Sequence, residues 1–173
     1  MVESHLNYGI LTWASKLAKN ITGQYDLTHI PENLKQLCTT HNKILRAIFR
    51  KPKFDRVTKT HTRTAPLFKT LGILTINDLY YYNLAIIAHQ YFHTNSLPDK
   101  LNAKFTKKSA ITDVRTRNND LELYYNAPRL VSTFRKPTIA AAAYWNTIPS
   151  KIRIIDKIKR FKRELKVYMI GKY

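Results

Sequence analysis

The chain has 173 residues, 44% of them hydrophobic, which suits one domain, or one with a small appendage, built around a real core and argues against wholesale disorder. Thirty Lys and Arg against eleven Asp and Glu give a formal charge of +19, far beyond what solubility needs. Such a field attracts polyanions, nucleic acid first and an anionic membrane surface second, with a solvated basic surface lacking any specific partner as the remaining reading. The single cysteine, Cys38, excludes an internal disulfide and a Cys-rich zinc module and fits a reducing intracellular setting, nuclear or cytoplasmic.

The first ten residues, MVESHLNYGI, carry no basic segment followed by a long apolar run, so no secretory signal is expected. Leu6, Ile10, Trp13 and Leu17 recur at helical spacing and predict an amphipathic helix over about residues 3–20. A second helix opens at Pro31-Glu32, a favourable pair for a first turn, with Leu34, Leu37, Cys38, Ile44, Leu45 and Ile48 as its apolar stripe. Lys35, Lys43, Arg46 and Arg50 fall toward its sides. Together these helices predict a helical hairpin over 1–50. Residues 51–65 lose the periodicity and read as a basic loop, with Lys51, Lys53, Arg56, Lys59 and Arg63 against Asp55.

Order returns at Pro66-Leu67-Phe68, a short helical turn that Pro66 starts and Gly72 stops. The central element follows at 75–94. Thr75 and Asp78 have the spacing of a capping box, and no formally charged residue occurs from Leu79 to Pro98. Apolar side chains fall on nearly every side, which predicts a buried helix. Asn83, His89, Gln90 and His93 argue against a membrane span, since each needs a partner in hydrocarbon, and no transmembrane segment is expected. Residues 99–120 read as a basic loop containing Arg115 and Arg117. Leu121, Leu123 and Tyr125 alternate as in a strand whose partner is expected at Leu130-Val131. Thr138 to Trp145 and Ile154 to Tyr168 predict two more helices. The fold class is therefore mainly α, a helical bundle around a buried helix at 75–94 with at most a short β-hairpin near 121–131.

Catalytic signatures are missing. There is no Gly-rich phosphate loop, no HExxH, no G-x-S-x-G, and no close carboxylate pair on an apolar strand of the kind a two-metal site needs. Cys38 and His41 have a CxxH spacing, and His89 and His93 share a helix face at i, i+4, but neither pair has further ligands in sight, so no metal site is expected. Basic surfaces are the positive signal. Residues 151–173 hold nine Lys or Arg and two acids. On a helical wheel Lys159, Arg160, Arg163 and Lys166 gather opposite Ile158, Phe161 and Leu165, so one side packs while the other tracks a phosphate backbone. An anionic membrane surface and plain solvation fit that pattern as well. The 51–63 segment and Arg115/Arg117 are further basic patches. Trp145-Asn146-Thr-Ile-Pro149 reads as structural, an aromatic buried at a helix end with Asn146 as a left-handed cap, and base stacking on Trp145 is the alternative.

Several of these stretches, in order, resemble the region that closes the reverse transcriptase part of non-LTR (LINE-like, jockey-type) retrotransposon polyproteins. Ser4 to Trp13 is similar to the family's S-x-x-x-Y-G-I-x-x-W segment, and Leu45-Arg46-Ala47-Ile48 to the end of its L-Q-x-x-x-L-R-x-I helix. Pro66-Leu67-Phe68, Leu71 to Leu74 and Asp78-Leu79 resemble its P-L-F-x-x-L-x-I-L-x-x-x-D-L stretch. Leu97-Pro98, Thr116-Arg117, Trp145-Asn146-x-Ile148-Pro149, Phe161-Lys162 and a closing Tyr complete the series. The resemblance implies a thumb and post-palm region at 1–50 and 66–173, with the polymerase carboxylates and their Mg2+ in a palm upstream of this chain. It implies no catalysis and no cofactor here, contact with the palm and fingers, and a grip on an RNA template or RNA–DNA duplex. Its family-level positions are Trp13, Pro66, Leu67, Phe68, Trp145, Asn146 and Pro149. The alternative is a helical protein-interaction or scaffold domain whose basic charge is incidental.

Overall fold

The computed structural model describes residues 9–15, 32–55, 60–111, 119–126 and 136–173. Within these the chain is mainly helical. The helices are α1 (Ile10–Trp13), α2 (Glu32–Ile48), α3 (Ala65–Leu71), α4 (Ile76–His89), α5 (Asp99–Asn102), α6 (Pro137–Thr147), α7 (Ser150–Arg153) and α8 (Ile158–Ile170). A π-helical turn, Gln90–Thr94, continues α4. Two strand pairs are antiparallel: β1 (Phe54–Asp55) with β2 (Thr60–His61), and β3 (Thr106–Lys107) with β4 (Leu123–Tyr124). No helix among the described residues is long and apolar enough to cross a membrane.

Helix α4 is the pivot. Ile76, Leu79, Tyr80, Leu84, Ala85, Ala88 and His89 are all buried, because α1, α6 and α8 pack around it. Ala85 and Ala88 meet Ala140, Ala141 and Ala142 of α6 in the same cluster, and small side chains let two backbones approach closely. Bulk is supplied in the same core by Trp145 and Phe161, both fully buried, each contributing roughly 2–3 kcal/mol of apolar burial.

The capping box of α4 has an added member. Thr75 Oγ1 accepts from the Asp78 N–H (3.1 Å) and donates to the Asp78 carboxylate (2.6 Å). The Tyr173 hydroxyl also donates to Asp78 Oδ2, and it accepts the Thr75 N–H at 3.0 Å. A tyrosine nearly a hundred residues away thus completes the start of the central helix.

Several sequence expectations are corrected. Of the helix expected over 3–20, Ile10–Trp13 is α-helical, entered through Gly9 in a left-handed conformation (φ 61°), and residues 3–8 and 16–20 lie outside the described set. On α2 the buried stripe is Leu34, His41 and Leu45, whereas Ile44 and Ile48 are 42% and 60% exposed. The expected 51–65 loop contains the β1–β2 pair, in which Phe54 lies opposite His61 with ring centroids 5.4 Å apart. Strand β4 finds its partner in β3, upstream; the residues expected to pair with it, 130–131, lie outside the described set. The helix expected to begin at Ile154 begins at Ile158, and the intervening break leaves backbone carbonyls free for use elsewhere.

Candidate nucleic-acid interface

The cations that the sequence singles out fall into two groups on different elements. On α8, Phe161, Leu165 and Met169 are buried against the core, while Lys159, Arg160 and Arg163 are exposed and Lys166 is half-buried. Lys162, absent from the sequence-based set of contacts, is exposed too, three residues after Lys159 and four before Lys166. The Arg163 guanidinium leans on Glu164 (3.2 Å), so part of its charge is locally neutralised.

The second group converges at the end of α2. A cleft of about 480 Å³ is lined by Lys43, Arg46, Arg50, Lys51 and Lys53. Lys51 and Lys53 come from the segment read as basic loop; Lys43, Arg46 and Arg50 come from the flank of α2. Helical spacing alone does not show that the chain reverses there and folds both sets around one concavity. The reversal is a Schellman motif: Lys51 N–H donates to the Arg46 carbonyl (2.8 Å) and Arg50 N–H to that of Ala47 (3.1 Å). Arg50 takes the left-handed position (φ 49°) that glycine usually fills. Arg63 is exposed, next to Thr62, whose carbonyl accepts a long bond from Arg46 Nη2 (3.4 Å). Arg56, Lys59, Arg115 and Arg117 lie outside the described residues.

The structural residues have clear jobs. Trp145 Nε1–H and Arg153 Nη1–H both donate to the Leu121 carbonyl at 2.8 Å. The Asn146 amide brackets Leu123, accepting its N–H (2.9 Å) and donating to its carbonyl (2.8 Å), much as a neighbouring strand would. Asn146 is therefore not a left-handed cap: it is helical, and its side chain holds β4. Pro149 precedes the first residue of α7. Trp145 has no exposed surface and presents no face for base stacking. Leu67 and Phe68 are the buried residues of α3, Pro66 occupies its first turn, and Trp13 is half-buried against the core.

The two pairs with ligand-like spacing, Cys38/His41 and His89/His93, are joined by no further ligands into a group of three among the described residues. His89 Nε2 lies 2.7 Å from the Ile155 carbonyl and His93 Nε2 lies 2.8 Å from that of Arg153. A carbonyl only accepts, so each Nε2 donates its hydrogen. The His89 ring is stacked on Phe161 (4.2 Å) and against His93 (4.7 Å), and its Nδ1 is buried without a partner among the described residues. Burial depresses the His89 pKa, with His93 and Lys162 adding to the effect and the Ile155 carbonyl and Asp156 partly offsetting it. Burial also pushes the Cys38 thiol up. Among the described residues no group of three or more His, Cys, Asp and Glu comes together to hold a metal ion.

Comparison of the chain with protein-family models, with curated proteins and with solved structures finds no match.

Proposed function

We propose that this chain is a non-catalytic nucleic-acid-binding segment, the thumb and C-terminal part of a non-LTR retrotransposon reverse transcriptase, gripping an RNA template or RNA–DNA duplex through its basic surfaces. The observation that carries the binding reading is the division of α8: one side is anchored in the core by Phe161, Leu165 and Met169, and the other presents Lys159, Arg160, Lys162 and Arg163 to solvent. An anchored helix holds the backbone of its cations in fixed register, so they meet phosphates without first paying the entropy of ordering that backbone. The family part of the proposal rests on the ordered sequence resemblance. Mg2+ and the catalytic carboxylates belong, on this reading, to an upstream palm.

Fluorescence anisotropy with labelled RNA and RNA–DNA duplexes of unrelated sequence tests the binding. Expected are similar affinities across sequences and a steep loss with salt, from counterion release. Absence of binding at low salt overturns the reading. Primer extension by the chain alone is expected to be nil, and metal-dependent extension contradicts the non-catalytic assignment.

The exposure of Ile44 and Ile48, one turn apart on α2, favours a second reading, a protein-docking surface. Under the resemblance its partner is the polymerase palm and fingers. Replacing both with Ser would then weaken association with that polypeptide and leave RNA binding by the isolated chain unchanged.

A further inference from the structure

The cleft at the end of α2 differs in kind from the open face of α8. It is concave, and at about 480 Å³ it falls within the roughly 300–1,000 Å³ range of small-ligand sites. Its five cations, Lys43, Arg46, Arg50, Lys51 and Lys53, are joined by no carboxylate among its lining residues. The ion pairs seen among the described residues, Glu32–Lys35, Glu122–Lys108 and Glu164–Arg163, involve none of the five. Five like charges around one hollow repel one another unless an anion sits between them.

Three details fit the hollow to an anion. The Schellman bonds use the Arg46 and Ala47 carbonyls, oxygens that would otherwise repel a negative ligand at a helix C-terminus. Arg50 keeps a left-handed backbone (φ 49°) that glycine would adopt without strain; strain of this sort collects at binding sites. Arg46 is half-buried, and the hairpin strand end at Thr62 meets its guanidinium. One phosphate group carries only about −1.5 to −2, too little for a lining of five cations, so the charge matches a chain of condensed phosphates better.

The geometry points to the α2 cleft as a site for a condensed phosphate chain, the di- or triphosphate of a nucleotide or of an RNA 5′ end. This goes beyond the proposed grip on a polynucleotide backbone, although Lys51 and Lys53 figure in both, and the two are separable by experiment.

Calorimetric titration of the full 173-residue chain with inorganic tripolyphosphate and with inorganic phosphate, at about 0.15 M salt where surface charge is screened beyond roughly 8 Å, is the test. One-to-one binding of tripolyphosphate is expected, at least tenfold tighter than phosphate. It should weaken at least tenfold in the triple variant Lys43→Ala/Arg50→Ala/Lys53→Ala and hold within twofold in Lys159→Gln/Arg160→Gln/Arg163→Gln. Unchanged thermal melts confirm that these variants, all at exposed positions, remain folded. Equal weakening in both variants, several ligands bound per chain, or no preference for tripolyphosphate overturns the site. Two RNAs differing only in a 5′-triphosphate or 5′-hydroxyl then distinguish the sources. A preference for the triphosphate that the Lys43/Arg50/Lys53 variant abolishes assigns an RNA end; equal RNA binding with intact tripolyphosphate binding assigns a free nucleotide. Failure of tripolyphosphate binding with RNA binding intact removes the cleft site and leaves the α8 reading standing.

Discussion

His89 and His93 fasten the break between α7 and α8 onto the central helix, each through a proton on Nε2 given to a backbone carbonyl. The surroundings of His89 oppose a second proton: burial leads, Phe161 covers one face, and His93 and Lys162 add positive potential, while the Ile155 carbonyl and Asp156 offset this only in part. Its folded pKa is depressed below the ordinary 6.5, so below that pH the unfolded chain binds more protons than the folded one. The stability tied to a neutral His89 is thus present above pH 6.5 and is lost as pH falls through the folded value. Urea melts from pH 8 to 5 should show that loss, and His89→Gln, whose amide still donates to Ile155, should flatten it; an identical pH slope in the variant would contradict the assignment. Tyr173 makes a second prediction at this scale. Removing its hydroxyl (Tyr173→Phe) leaves the Thr75 N–H and one Asp78 oxygen without that partner, at a cost of roughly 1–3 kcal/mol read from the same melts.

Among the elements, β4 is held from three directions: by β3 in register, by the Asn146 amide at Leu123, and by Trp145 and Arg153 at the neighbouring Leu121 carbonyl. Arg153 is itself buried; burial pulls its pKa down, partly offset by Glu122, and its guanidinium stays charged all the same. Asn146→Ala strands the N–H and carbonyl of Leu123, which is 1% exposed, and should cost roughly 1–3 kcal/mol for each group left unsatisfied. Thermal melts together with amide exchange at Leu123 would register it, and unaltered protection there would show that Asn146 is not the clamp. The elements also show what a sequence discloses. The Thr75/Asp78 cap and the Pro66 and Gly72 boundaries of α3 are legible because their partners lie within a turn. The work of Asn146 is not, because its partner is 23 positions away, and a helix-terminal Asn otherwise suggests a left-handed cap. The Ile154–Lys157 break is equally hidden, since the apolar spacing runs through it and the histidines that meet the Arg153 and Ile155 carbonyls there lie about sixty residues upstream. The α2 cleft is half legible: its cations are conspicuous, but their convergence depends on Arg50 adopting a conformation that sequence assigns to glycine.

At the scale of the whole molecule, a chain of charge +19 is built on a central helix that carries no formally charged residue after Asp78 in its first turn. Helix α4 buries its sides among α1, α6 and α8, and among the described residues the outer side of α8 and the end of α2 each gather a group of cations. A rigid core carrying basic faces binds polyanions by position and charge, with little reading of bases, and such binding is strongly salt-dependent. The most direct test is the slope of log affinity against log salt for a labelled single-stranded RNA, measured on the native chain and on Lys159→Gln/Arg160→Gln/Arg163→Gln/Lys166→Gln. Binding through the α8 face predicts an unaltered fold and a slope shallower by up to about three units, at about 0.7 per phosphate contact on a single strand. A slope unchanged by removing all four cations would contradict it.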